Sequence, residues 1–211
     1  MRARFTLAEV QAAALRIVDV DGLSGLSMRS LAAALGTGPM TLYNYVRNRD
    51  ELEELVAEAV IADVEVPPAG DDWIDDVRSI GTAMWHAVRS HPNAIPLVLT
   101  RRTVSSSSYV AAEYLIEALS RGGLTDTDLL TAFRGVLSLV MGSAQVELAG
   151  PLNGADRDRQ QREVAGRIGA LAGDEHHRIA ALSKVSQRST AADDFAAALE
   201  LLLAGIRTLT R

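Results

Sequence analysis

The chain has 211 residues, 48% of them hydrophobic, and a formal net charge of -6. That length fits one large domain or two small ones, with enough apolar residues for a packed core. It contains no cysteine, which excludes disulfides, thiolate metal sites and a cysteine nucleophile. The acidic total argues against a general nucleic-acid coat, which would be basic along its length. The total hides a split: residues 1–50 carry six arginines against four acids, and residues 51–211 carry 15 bases against 23 acids. No unbroken apolar run of membrane-spanning length is present, and the N-terminus lacks the apolar run of a secretory signal. The expectation is a soluble, cytoplasmic protein with no membrane partner.

Helical punctuation recurs along the chain. Thr6 and Glu9 have capping-box spacing, and Val10, Ala14, Ile17 and Val18 follow at helical spacing, with Gly22 as a stop. Ser27 caps a second, short helix with Leu31 and Leu35 on one face before Gly36. A third begins near Thr37, with Pro39 in its first turn, where a missing N–H costs nothing. Asn48 and Glu51 have the spacing of a second capping box, and Leu52, Leu55, Val56, Ala59 and Val60 form a buried stripe.

Pro67, Pro68 and Gly70 then break the chain. Trp73, Val77, Ile80, Met84 and Val88 mark a fifth helix, and Pro92 and Pro96 frame a short sixth. A seventh runs from the Ser105–Ser108 cluster to Gly122–Gly123, and Thr125 opens an eighth, nearly continuously apolar through Met141. Residues 150–160 read as a polar turn into a weaker helix, and residues 173–191 are expected to be partly disordered. Phe195, Leu199, Leu202, Ile206 and Leu209 draw a heptad-like stripe on a final helix. No strand-like alternation is sustained. The expected fold is all-α, with about nine or ten helices.

The informative stretch is residues 23–49. Two short helices joined by Gly36-Thr37-Gly38 have the dimensions of a helix-turn-helix, whose turn needs small residues so that the second helix crosses the first steeply. Leu31, Ala32, Leu35, Leu42 and Val46 face inward, which leaves Met40, Thr41, Tyr43, Asn44 and Tyr45 to project.

The segment resembles the DNA-binding domain of the TetR family of bacterial repressors. The resemblance rests on Gly22, Leu26-Ser27-Met28-Arg29, Leu31-Ala32, Leu35-Gly36, Thr41-Leu42-Tyr43, Tyr45-Val46 and Asn48-Arg49-Asp50-Glu51-Leu52, spaced and in order. It implies an N-terminal three-helix DNA-binding domain over residues 1–48, a connecting helix over 49–66, and a larger helical ligand-binding and dimerisation domain over 67–211. Met40 stands where many relatives carry a small or polar residue, so an operator sequence does not transfer.

On that frame each residue has a physical role. Arg29 has the fork that fits guanine O6 and N7. Thr41 bonds a phosphate or touches a thymine methyl, and Met40 makes apolar contact with that methyl. Tyr43, Tyr45 and Arg49 hold phosphates, which position without specifying. Asn44 reads adenine or caps a groove water, and Met28 and Pro39 complete the candidate DNA face. Residues 51–77 contain ten acids and no base, read as a solvated face and as complements to helix starts.

Behind this domain, Trp73, Met84, Trp85, His86, Val88, Ile95, Leu99, Tyr109, Tyr114, Phe133, Leu137, Met141 and Gln145 are candidates to line an apolar cavity, with His86, Tyr109 and Gln145 as polar anchors. No metal site or cofactor is expected: His86 and His91 lack nearby carboxylates in sequence, and His176 and His177 cannot share a helical face. Small residues Gly135, Ser138 and Gly142, with the stripe Phe195, Leu199, Leu202 and Ile206, are candidates for a twofold four-helix interface between two copies. The expected function is a homodimeric, ligand-responsive repressor that binds a palindromic double-stranded DNA operator and is released by a small apolar effector. The rival is a helical ligand carrier or enzyme with no DNA role, but no nucleophile–base–acid spacing or phosphate loop supports it.

Overall fold

Residues 4–101, 109–147, 157–173 and 175–210 are described by a computed structural model of the chain. Among them all regular structure is helical. Helix α1 spans Leu7–Gly25, α2 Met28–Ala34, α3 Pro39–Leu42 and α4 Arg49–Ala62. Helix α5 spans Trp73–Ser90 and is followed by a 3-10 turn at Pro92–Ala94 and by α6 at Ile95–Thr100. Then come α7 (Val110–Arg121), α8 (Asp126–Glu147), α9 (Arg157–Ala172), α10 (His177–Ser186) and α11 (Ala191–Arg207). The Ser105–Ser108 cluster and the turn at 150–156 lie outside the described residues.

The first helix starts as its sequence requires. The Thr6 hydroxyl accepts from the Glu9 N–H at 3.2 Å, and the Glu9 carboxylate accepts from the Thr6 N–H at 2.7 Å. These bonds hold the Glu9 carboxyl below the usual carboxylate range, the Thr6 backbone N–H first. Gly22 adopts the left-handed region at φ 68°, but it kinks the helix rather than ending it, and α1 continues to Gly25. Ser27 caps α2 reciprocally with Ser30. Helix α3 begins at Pro39, two residues later than Thr37, because Gly38 is still extended and no side chain caps it. At α4, Asn48 accepts from the Glu51 N–H at 2.9 Å, but the Glu51 carboxylate reaches back to the Arg47 N–H at 2.7 Å. The expected second box is therefore half formed, with the return bond one residue early.

Val10, Ala14 and Val18 of α1 close on Leu31, Leu42, Val46, Leu52 and Val56, all essentially without solvent contact. This core fixes α2 and α3 as a helix-turn-helix pair. The head meets the body where α1 and α4 pack on the 3-10 turn and α6. There, the Asn93 amide donates to the Val18 and Asp19 carbonyls at 3.1 Å.

In the body, α5 and α8 lie side by side with α7 and α11 around them. Ile74, Trp85, Leu115, Leu119, Leu199 and Leu203 are fully buried there. Helix α8 has a membrane-like composition over Asp126–Val146, with mean hydropathy 1.4. Its Ala132, Val136, Val140 and Ala144, spaced four apart, are buried and form the one face that packs on the bundle.

The segment 173–191, expected to be partly disordered, contains α10 instead. Its partner is α9, where Gly169 leaves room for Ser183: a Cβ there would collide with the Ser183 hydroxyl. Close approach to α9, not the sequence of α10 alone, gives this helix its partner.

Candidate functional site

The head presents a compact outer face. Leu42 and Val46 point into the core, which turns their neighbours on α3 and the following turn outward. Met40 is 79% exposed and Tyr43 50% exposed, with Pro39 and Asn44 beside them in solvent. Thr41 is half-buried, and the Asn44 amide donates to its carbonyl at 3.2 Å. On α2, Arg29 is exposed with no ion pair among the described residues, while Met28 is half-buried against the core. Arg29, Met40 and Tyr43 are thus exposed side chains of types that can bond base edges and phosphates.

Two expected phosphate holders are engaged inside the protein. The Tyr45 hydroxyl donates to the Phe5 carbonyl at 2.8 Å and accepts from the Phe5 N–H at 2.9 Å. It clamps the segment before α1 to the turn after α3. The Arg49 guanidinium donates to the carbonyls of Leu26 at 3.0 Å and Leu23 at 3.2 Å, and pairs with Glu53 at 2.8 Å. It ties α4 to the turn between α1 and α2.

Glu53 corrects the reading of the acidic stretch. Its carboxylate is not simply solvated: it also binds Arg101 at the end of α6, and Asp50 pairs with the same guanidinium at 2.9 Å. The Arg101 pKa is raised, the hydrogen bond to Glu53 being the largest cause. The sequence of contacts runs from Arg101 through Glu53 and Arg49 to the Leu26 carbonyl beside α2.

Candidate cavity residues separate into two sets. Met84, Trp85, Val88 and Ile95 are buried, and Trp73, Phe133, Leu137 and Met141 are half-buried. Trp85 stacks on Phe195 with ring centroids 4.7 Å apart and planes 5° from parallel. Trp73 covers Gly122 so closely that a Cβ there would lie 2.6 Å from the indole ring. His86, Leu99, Tyr109, Tyr114 and Gln145 are exposed. The proposed anchors His86, Tyr109 and Gln145 are thus on the surface rather than converging inward. Tyr114 borders a small void of about 10 Å³ with Ile80 and the ion-paired Asp76 and Arg121.

The stripe on α11 faces the chain's own body. Phe195, Leu199 and Ile206 are buried without any second copy, because α11 packs on α8 and α5. Leu202 is half-buried and reaches Gly135, 3.4 Å from where a Cβ would stand. On the same two helices, Ser138 and Gly142 of α8 are exposed, and so is Leu201 of α11, at 78%.

His91 gains carboxylate partners that its sequence neighbours do not supply. Its Nδ1 lies 3.0 Å from Asp19 on α1, and its Nε2 lies 3.0 Å from Asp63 at the end of α4. The carboxylates sit at opposite ring nitrogens, so they cannot converge with the imidazole on one metal ion. The contact instead joins α1, α4 and α5, a role visible only once the helices are packed.

Residues 66–210 match the family model for the tetracyclin repressor-like C-terminal domain. The chain belongs to the TetR family, whose fold joins an N-terminal helix-turn-helix to a larger helical domain. It is 34% identical over 145 residues to the transcriptional repressor DrrR1 of Streptomyces coeruleorubidus, covering 68% of this chain and 54% of that one. It is 31% identical over 140 residues to an HTH-type transcriptional regulator of Saccharopolyspora erythraea, covering 66% of this chain and 59% of that one. The matched stretch thus spans little more than half the length of those two relatives. ActR of Streptomyces coelicolor, solved in complex with actinorhodin, superposes with a TM-score of 0.79 at 27% identity, covering 99% of both chains. The relatives are named as transcriptional regulators, not enzymes.

Proposed function

We propose that this chain is a homodimeric transcriptional repressor that binds a palindromic operator and is released by a small apolar effector. The observation that carries the reading is the exposed set Arg29, Met40, Tyr43 and Asn44 on a rigid helix-turn-helix. The names of the relatives support the class, and the complex of ActR with actinorhodin supports a small-molecule effector. The working division is a DNA-binding domain over 1–48, a connecting helix over 49–66 and a sensing, dimerising body over 67–211. A cytoplasmic location follows from the DNA partner.

Met40 and Arg29 read base edges, while Tyr43 and Thr41 position the head on phosphates. Effector enters beside Met84, Val88, Ile95 and the half-buried Phe133, Leu137 and Met141. Movement of α6 is transmitted to α4 through Arg101 and Glu53, and Arg49 carries it to the turn before α2. Such coupling is typically about 1–3 kcal/mol, enough to shift the spacing of two recognition helices and the affinity with it. The effector must bind the released state better, or it shifts nothing. A second copy pairs across Ser138, Gly142 and Leu201, and two half-sites compensate for a weakly basic head.

The test is a mobility-shift assay on DNA upstream of the chain's own gene. A shift abolished by Arg29→Ala with Tyr43→Ala supports the reading. No shift with the unaltered protein, or the same affinity in the double variant, overturns it.

A further inference from the structure

Three helices bring their C-terminal turns to one imidazole. His91 closes α5, its backbone N–H donating to the Val88 carbonyl at 3.3 Å. Its Nδ1 faces both carboxylate oxygens of Asp19, at 3.0 and 3.1 Å, in the turn of α1 before the Gly22 kink. Its Nε2 faces Asp63, which closes α4, at 3.0 Å. Helix C-termini carry negative partial charge, and neither α1 nor α4 has a base in its last turn. Asp63 adds a carboxylate to such an end, where a neighbouring cation offsets it.

The proton count on the ring decides how many of these bonds form. A neutral imidazole has one N–H and one bare lone pair; only the imidazolium donates from both nitrogens. An ionised carboxylate has no proton to offer, so a neutral His91 sets a lone pair against one of its two partners. Those partners are unequal. The Asp19 side chain is 30% exposed, and its backbone carbonyl is held by the Asn93 amide at 3.1 Å. The Asp63 side chain is 61% exposed and has no other side-chain partner among the described residues. A neutral His91 therefore keeps its proton on Nδ1, toward Asp19, and releases Asp63.

The other charged groups around the ring are engaged elsewhere or exposed. On α5, Arg89 lies over the Trp85 ring, Arg78 pairs with Glu200 and Asp75, and His86 is exposed. On α4, Glu58 accepts from Gln11, and Glu65 in the segment after it adds a further carboxylate on this side. On α1, Arg16 and Asp21 are exposed. The 3-10 turn and α6, residues 92–100, carry no charged side chain.

We propose that His91 is a proton-operated clasp: protonated, it ties α1 and α4 of the head to the end of α5, and on losing its proton it lets the end of α4 go. The bond to Asp63 is present at lower pH and lost as pH rises through the range in which histidines change charge, roughly pH 5–8. Ambient pH thereby becomes an input to the contact between head and body. The bearing of the clasp on DNA rests on the repressor reading above, but the clasp itself does not.

The test is a pair of double-mutant cycles on the full chain without DNA, read by urea unfolding at about pH 5.5 and about pH 8.5. One cycle pairs His91→Gln with Asp63→Asn, the other His91→Gln with Asp19→Asn. Coupling to Asp63 is expected to be at least about threefold in the folding equilibrium constant at the lower pH and absent at the higher. Coupling to Asp19 is expected at both. His86→Gln, at an exposed histidine of the same helix, is expected to show no coupling to Asp63 at either pH. Coupling to Asp63 that is equal at the two pH values, absent at both, or matched by His86→Gln overturns the clasp. Loss of the Asp19 coupling at the higher pH overturns the order of release. In a mobility shift, the unaltered chain is expected to lose at least about threefold more operator affinity over the same pH interval than His91→Gln does. Equal losses overturn the regulatory role, whereas no shift at any pH overturns the repressor reading and leaves the cycles to decide the clasp.

Discussion

Arg101, the residue that closes α6, is bound by Glu53 on the opening turns of α4. Glu53 is only 13% exposed and binds Arg49 as well, so one carboxylate joins the body to the head. Removing any member of this set frees the start of α4. Arg101→Ala and Glu53→Gln are each expected to weaken operator binding by roughly fivefold. Because both remove the same contact, the double variant should be little worse than either single one. Additive losses in a double-mutant cycle would show that the contact does not transmit.

Arg29→Ala should cost about 1–3 kcal/mol of operator affinity and relax preference at one base pair of each half-site. Tyr43→Phe should weaken binding evenly across sequences, because a phosphate contact positions without specifying. Competition between the operator and singly substituted sites separates the two patterns.

Tyr45 is predicted to act on stability rather than on DNA. Its hydroxyl both donates to and accepts from the Phe5 backbone. Tyr45→Phe leaves those two groups without their partner and should cost about 1–3 kcal/mol in urea unfolding. An unchanged unfolding midpoint would place the clamp outside the cooperative fold.

Two glycines should respond in opposite ways. Gly122→Ala drives a Cβ into the Trp73 indole and should destabilise the chain by about 1–3 kcal/mol. Gly142 has nothing within 4 Å of its added Cβ, so Gly142→Ala should leave the fold unharmed and add up to about 1 kcal/mol of helix propensity. If α8 pairs with a second copy at Gly142, the same variant weakens the dimer, which sedimentation over a concentration series would detect.

Arg78 holds the Glu200 carboxyl below its ordinary range, first through their hydrogen bond. A carboxyl depressed on folding adds stability above its unfolded pKa and loses it as pH falls through the folded one. Glu200→Gln should therefore flatten the fall in melting temperature between about pH 5 and pH 3. The change should be small, because the pair is solvent-exposed and screened.

Residues 23–49 were legible because their constraints are local. A cap, a glycine turn and a first-turn proline depend on neighbours within a few positions, so Ser27, Gly36 and Pro39 announce the helix-turn-helix. Periodicity likewise announced the buried stripe of α4 and the all-α fold. What periodicity marks is an apolar face, not the surface that covers it. Phe195, Leu199 and Ile206 were such a face, and α5 and α8 of the same chain cover it.

Polar groups were decided by tertiary structure for a related reason. A side chain's type says what it can bond, while its partner comes from whichever helix packs beside it. Tyr45 met Phe5, Arg49 met the Leu26 carbonyl, and His91 met Asp19 and Asp63, across separations of 23 to 72 residues. His86 went outward because Met84, Trp85 and Val88 claimed the buried side of α5. Sequence alone determined the fold class and the helix-turn-helix, since these follow from short-range sterics and capping. Only packing decided which polar residues join head to body and which stay at the surface, because those partners meet only after the apolar faces close.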